Sequence, residues 1–181
     1  MIKKATLSCI SLLVSVMLFA QAVKYNAAAQ KKYLPETLDG IFLGMTCDQL
    51  KQIVPADKLT FEASLLDSIV KLTEYTDRSI EGLIAATYYF VGSDTTEDAA
   101  TVPAKNRLFK IVLEFDQQDA RSFVQRFKNN KAIKGGLSND GWKWTFKSAD
   151  AVDWIVTYDD GFFVSITGNI KGTPWKDVPK E

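Results

Sequence analysis

The chemistry open to this chain is limited by the absence of histidine among its 181 residues. Without an imidazole, Ser-His-Asp and Cys-His catalysis and histidine-ligated metal sites are excluded. Cys9 lies in an apolar N-terminal run, so Cys47 is the one thiol expected in the mature protein, with no partner for a disulfide within the chain. We expect Cys47 to be a small buried residue, although a position at the start of a helix could also make it reactive.

Three acidic residues, Asp94, Glu97 and Asp98, are candidates for binding a partner or a calcium ion. They lie in the polar stretch 92–106, which predicts a long loop. Calcium prefers several carboxylate and carbonyl ligands, but the spacing here is not that of an EF-hand. The alternative is that these carboxylates are simply solvated. The sequence therefore predicts no metal and no cofactor, and keeps the three residues as candidate contacts to a partner.

Trp175 is the other candidate contact to a partner. It follows Gly172-Thr173-Pro174, after the last predicted strand. Exposed tryptophan is common among the residues that dominate protein interfaces. A tryptophan in such a tail can equally fold back and cover the edge of a sheet. Both interpretations stay open.

Two patterns bear on hydrolytic chemistry, and neither assigns a catalytic residue. Ser68-Ile69-Val70-Lys71 has the S-x-x-K spacing of penicillin-binding enzymes, but residues 138–140 and 171–173 give only scrambled versions of their other motifs. A carboxylate pair for glycoside hydrolysis could come from four C-terminal aspartates, Asp150, Asp153, Asp159 and Asp160. Turn formation explains Asp159 and Asp160 better, and Asp153 is placed to pair across a sheet with Lys143 or Lys147.

The N-terminus predicts export. Lys3 and Lys4 precede an apolar run that ends near Ala20, and small residues follow, as in a secretory signal peptide over 1–22. Cleavage is expected after Ala22, with Ala29 as the alternative, and the run is too short for a stable membrane span. The mature chain is then almost neutral, which gives no long-range field to attract nucleic acid. We expect it in the periplasm or outside the cell.

Hydrophobic periodicity predicts two helices and six strands. Thr46 and Gln49 form a capping box before the first helix, and Asp116 precedes a second helix with an apolar stripe. Strands are expected at about 69–75, 83–91 and 109–115, and again in a C-terminal meander, whereas residues 56–67 are ambiguous. The order helix, three strands, helix, three strands predicts a two-layer α+β domain with both helices on one face of an antiparallel sheet. The two halves share this order without obvious repeated residues.

The domain is expected over 39–175, after a flexible leader (23–38) and before a tail (176–181). Its last hairpin is predicted to have a three-residue loop with Gly161 in the left-handed conformation. That register joins the apolar side chains on one face in the pairs Tyr158–Phe162, Val156–Val164 and Trp154–Ile166. Thr157 and Ser165 then face outward.

Residues 40–46, Gly-Ile-Phe-Leu-Gly-Met-Thr, running into Cys47-Asp48-Gln49-Leu50, resemble the opening of many small exported bacterial domains. The segment is similar in style to the outer-membrane assembly lipoproteins of the SmpA/OmlA (BamE) type and to the tandem-repeat β-lactamase-inhibitory proteins. The resemblance implies an antiparallel sheet that binds other proteins without catalysis. It assigns no functional residue in this chain.

The function predicted from the sequence is a non-catalytic exported binding module for a protein or cell-envelope component. The alternatives are a carrier of a small apolar ligand and a histidine-free hydrolase based on carboxylates. An enclosed cavity would favour the carrier, and converging carboxylates with raised pKa values would favour the hydrolase. A solid core with a flat exposed face would favour the binding module.

The mature protein is expected to begin at Val23, because Ala20 and Ala22 supply the small residues that signal peptidase requires. The intact mass or N-terminal sequence of the secreted product checks this. A product that begins at Gln30 would identify Ala29 as the cleavage site. Full-length protein retained in the membrane would contradict export.

Overall fold

The computed structural model describes residues 25–62, 69–76, 81–91 and 106–170. Within these ranges the chain forms three α-helices: α1 (Ala27–Gln30), α2 (Cys47–Ile53) and α3 (Gln117–Lys128). The strands are β1 (Leu59–Glu62), β2 (Ile69–Tyr75), β3 (Leu83–Val91), β4 (Arg107–Phe115), β5 (Lys134–Ser138), β6 (Gly141–Lys147), β7 (Asp153–Tyr158) and β8 (Phe163–Gly168). Short 3-10 turns lie at Lys31–Tyr33, Glu36–Leu38 and Ala56–Lys58.

All eight strands belong to one antiparallel sheet, in the order β1-β2-β3-β4-β8-β7-β6-β5. Each half of the chain contributes a helix followed by a four-stranded meander, and the two meanders meet where β4 pairs with β8. At that junction Ile111 faces Ile166 and Leu113 faces Val164. The first strand of each meander, β1 or β5, lies at an edge of the sheet.

The predicted two-layer α+β arrangement with six strands is wrong, because the fold is dominated by a single eight-stranded sheet. Two edge strands escaped prediction. β1 has only four residues in the ambiguous segment, and β5 contains the pair Gly135-Gly136, which has low β propensity. The helices are short in comparison: α2 has 7 residues and α3 has 12.

The inner face of the sheet, defined as the side on which α3 packs, holds the core. Phe123 of α3 stacks on Phe115 with 5.2 Å between ring centroids, and Phe127 lies 5.8 Å from Trp144. One row of apolar and aromatic side chains crosses seven neighbouring strands on this face: Phe61, Leu72, Tyr88, Ile111, Ile166, Val156 and Trp144. Burial of this row is the main force that holds the sheet against α3.

Residues 25–38 belong to the segment predicted to be a flexible leader, and they lie on the inner face. The rings of Tyr33 and Phe146 are 4.4 Å apart, and those of Tyr33 and Trp154 are 5.4 Å apart. Leu34 and Leu38 are buried in the same core. The segment therefore forms part of the layer that covers the sheet.

Gln30 fixes this segment through hydrogen bonds rather than through packing alone. Its side-chain oxygen accepts from the Leu43 N–H at 2.8 Å, and its amide donates to the Leu43 carbonyl at 3.1 Å. The same amide donates to the Asp150 carboxylate at 2.8 Å. Ser148 joins Asp150 to the Trp154 indole, which donates to the Ser148 hydroxyl at 3.1 Å. These bonds connect the start of the domain to the turn between β6 and β7.

The predicted register of the last hairpin is wrong by two residues. The observed pairs are Tyr158–Val164, Val156–Ile166 and Trp154–Gly168. Asp160, with φ +67°, takes the left-handed conformation in place of Gly161. The Arg121 guanidinium of α3 donates to the Asp160 carboxylate at 3.0 and 3.1 Å, so a residue outside the hairpin contacts its loop. Phe162 is consequently exposed rather than buried.

A shift of two residues leaves the side chains within β7 and β8 on their predicted faces, and this gives a stability test. Trp154 is 1% exposed, whereas Thr157 is exposed on the opposite face. Trp154→Ala is expected to lower the free energy of unfolding by about 3–5 kcal/mol, the usual cost of removing a large core aromatic. Thr157→Ala should change it by about 0.5 kcal/mol or less. Denaturant melts of both variants measure the difference, and equal losses would contradict the assigned faces.

Candidate functional site

The outer face of the sheet, opposite α3, carries a row rich in hydroxyl groups. From β1 to β6 the row contains Thr60, Thr73, Thr87, Val112, Ser165, Thr157 and Lys143. The Thr73 and Thr87 hydroxyls lie 2.9 Å apart, and Thr73 also donates to the Glu62 carboxylate. Hydrogen bonds therefore hold this row in place near β2, whereas Thr157 stays exposed at the other end.

The next row on the outer face is built around a tyrosine between two lysines. The Lys71 ammonium lies 5.1 Å from the centre of the Tyr89 ring, and the Lys110 ammonium lies 4.6 Å from it. Cation–π attraction fixes both side chains over the ring. Tyr89 and Lys110 are only 5% and 6% exposed. Tyr89 and Lys110 are therefore too buried to form a surface that contacts a partner.

Exposed aromatic side chains lie in a third row of the outer face, on the opposite side of the hydroxyl row from Tyr89. This short row contains Tyr75, Ala85, Glu114 and Phe163 on neighbouring strands. Tyr75 is 66% exposed and Phe163 is 47% exposed. Three strand spacings separate them, which is about 14 Å. Exposed aromatic side chains are common among the residues that dominate protein interfaces.

The alternation of residues along β2 and β8 is enough to place these two aromatic side chains on the outer face. Tyr75 has the opposite parity to the buried Leu72, and Phe163 the opposite parity to Val164, so both rings fall on the polar face of a half-buried strand. On each of these strands the next residue on the same face carries a hydroxyl group, and an aromatic residue beside it is the pattern that identifies Tyr75 and Phe163.

The residues predicted to contact a partner, Asp94, Glu97, Asp98 and Trp175, lie outside the described residues, as do the signal peptide and Ser68. Asp153, Asp159 and Asp160 each contact a different partner. Lys147 lies 3.3 Å from Asp153, which confirms the predicted cross-strand pair. Asp159 accepts from the Gly161 N–H at 3.0 Å, as expected for a turn. The Arg121 guanidinium lowers the pKa of Asp160.

Cys47 lies at the start of α2 and is fully buried, as predicted. The capping box before it is also confirmed, since Gln49 N–H donates to the Thr46 hydroxyl and the Gln49 side chain accepts from Thr46 N–H. Burial raises the pKa of the Cys47 thiol; nearby Lys51 works against this shift, and Asp48 adds to it. The thiol is therefore kept in its unreactive, protonated form.

In the described part of the chain, no group of three or more carboxylate or thiol side chains is placed to hold a metal ion. Within those same ranges, no helix is both long and apolar enough to cross a membrane. Compared with protein-family models, with curated proteins and with solved structures, this chain has no match.

The burial of Cys47 predicts slow modification by a thiol reagent. Reaction with a disulfide reagent near neutral pH should be slow in the native protein, because the reagent must wait for an opening and the raised pKa reduces the thiolate fraction. The rate should rise sharply in denaturant. Rapid labelling of the native protein, or a reducible dimer on gels, would contradict this assignment.

Proposed function

We propose that this chain is an exported, non-catalytic binding module that contacts a protein or cell-envelope component through the outer face of its sheet. The observation that carries the proposal is the exposure of Tyr75 and Phe163 in one row of that face. Aromatic rings supply contact area with little loss of side-chain entropy. The neighbouring hydroxyl row offers the exposed Thr60 and Thr157 hydroxyls to a partner.

The packing of the core favours a binding module over a carrier of an apolar ligand. The inner face is filled by one continuous cluster of buried side chains. A carrier needs an enclosed, mainly apolar cavity. The described residues instead line a surface depression of about 320 Å³, and its walls include Lys147 and Asp153.

The pKa shifts of two surface carboxylates favour a binding function over hydrolysis. A glycosidase-type acid has a raised pKa, so that it can hold its proton near neutral pH. Asp39 and Asp160 have shifted pKa values in the opposite direction, because Lys31 and Arg121 stabilise their charged forms. Both pairs lie on the surface, and they are better understood as contacts that fix loops.

The N-terminus and the opening of the domain support an envelope location. The signal-peptide pattern directs the chain out of the cytoplasm. The segment 40–50 resembles exported domains that bind proteins through an antiparallel sheet. In this chain that segment joins the sheet, because Gly44 N–H donates to the Leu108 carbonyl and Leu108 N–H donates to Met45.

The proposal predicts a site-specific cross-link. The mature chain with a photo-activated residue at Ser165, on the outer face, should cross-link to a discrete species in envelope extract of the source cells. The same residue at Gln125, exposed on α3, is the matched control and should not. Tyr75→Ser with Phe163→Ser should remove the Ser165 cross-link while leaving the thermal melt unchanged, because both rings are exposed.

Leu137→Ser provides the specificity control. Leu137 is 70% exposed but lies on β5, away from the aromatic row. The Ser165 cross-link should survive this substitution. Cross-linking that Tyr75→Ser and Phe163→Ser do not reduce would place the contact elsewhere, and its absence in every extract fraction would contradict the proposal.

A further inference from the structure

The edge strand β5 leaves hydrogen-bonding groups of the main chain open to a partner. Its only neighbour among the described residues is β6. In an antiparallel pair every second residue directs its N–H and C=O away from the neighbouring strand. Four of the five β5 residues are exposed, and the fifth, Gly136, has no atom within 4 Å of the place a Cβ would occupy. A further strand could therefore approach this edge closely.

The chain around β5 is strongly basic, although the whole sequence has equal numbers of acidic and basic residues. Residues 128–147 contain Asp140 as their one acidic residue and five lysines: Lys128, Lys131, Lys134, Lys143 and Lys147. Lys147 is paired with Asp153. Lys131, Lys134 and Lys143 are exposed and form no ion pair within the described ranges. This edge thus presents positive charge that no described residue neutralises through an ion pair.

The two faces of β5 differ in the side chains they offer. On the outer face lie Lys134 and, in register with Gly136, Lys143 of β6. On the inner face Leu137 is paired with Trp142, whose ring stacks on Trp144 at 5.8 Å with an angle of 7° between planes. Leu137 is 70% exposed. On the outer face, the side chains of a strand added here would contact lysines. On the inner face, they would contact the apolar side chains of Leu137 and Trp142.

Other occupants of the edge are disfavoured by charge. A second copy paired through β5 would bring two clusters of unpaired lysines together, and like charges across strands are destabilising. At the opposite edge of the sheet, β1 has only four residues and mixed charges, with Asp57 and Lys58 just before it and Glu62 at its end.

We infer that β5 is a docking edge for an extended segment of a partner protein in which acidic and apolar residues alternate. The segment joins the sheet as a ninth strand, with main-chain hydrogen bonds for affinity and lysine–carboxylate pairs for orientation. This surface is separate from the aromatic row of the proposed function. If these lysines served only to prevent strand pairing, no acidic peptide would bind at β5.

The direct probe is a fluorescent peptide of about six residues, alternating glutamate and valine. Its anisotropy should rise on addition of the mature chain at low salt, and the affinity should fall as salt is added. A lysine–valine peptide of equal length should not bind. N-methylation of alternate peptide nitrogens, on the edge that would face β5, should weaken binding by roughly tenfold or more, because it removes strand hydrogen bonds but keeps the charge.

Charge reversal locates the site. Lys131→Glu with Lys134→Glu should weaken binding of the glutamate–valine peptide by roughly tenfold or more. Lys32→Glu with Lys58→Glu changes the net charge equally at exposed lysines remote in sequence from β5, and should have a much smaller effect. Thermal melts of both variants check that folding is retained.

Several results would overturn the inference. Equal binding of the N-methylated peptide would indicate charge attraction without strand addition. No binding of any acidic peptide would indicate that the lysines only protect the edge. The test is independent of the proposed function, because Tyr75→Ser with Phe163→Ser should leave peptide binding unchanged. Likewise, the Lys131→Glu and Lys134→Glu variant should keep the Ser165 cross-link.

Discussion

The pairing of β4 with β8 is the contact on which the rest of this structure depends. It joins two four-stranded meanders into one sheet, with Ile111 against Ile166 and Leu113 against Val164 at its centre. Because each meander contributes its last strand to this junction, its first strand becomes an edge. The same pairing makes the outer face continuous from β1 to β6. The two surfaces proposed for binding, the aromatic row and the β5 edge, are both consequences of where the halves meet.

The sheet is so wide that the helices alone cannot cover the apolar area of its inner face. Eight strands at their usual spacing span about 35 Å, whereas a helix with its side chains covers about 10 Å. α3 and the seven residues of α2 therefore leave apolar area uncovered. Residues 25–46 complete the layer, with Tyr33 over Phe146 and Trp154. The Gln30 bonds to Leu43 satisfy main-chain groups that this buried, irregular segment would otherwise leave unpaired.

The sequence was informative where a signal is local and failed where it is not. Alternation of apolar residues placed Trp154 and Val156 on the buried face, and the Thr46–Gln49 capping box marked the start of α2. The loop of the last hairpin contacts Arg121, which is 39 residues from Asp160, and no local pattern reports such a contact. β5 is a strand because β6 pairs with it, although its two glycines argue against one. The aromatic row required the order of the strands, since Tyr75 and Phe163 belong to one row only when β4 and β8 pair.

The two surfaces lie close together on the sheet, although each is proposed to bind independently of the other. From Phe163 on β8 to β5 is three strand spacings, about 14 Å, whereas a standard interface buries about 800 Å² on each side. Gly136 of β5 also ends the hydroxyl row, opposite Lys143. A strand added at β5 would therefore extend that row with its own side chains. Main-chain bonds at the edge would fix the register of the added strand, whereas the exposed rings would supply apolar area to a contact on the outer face.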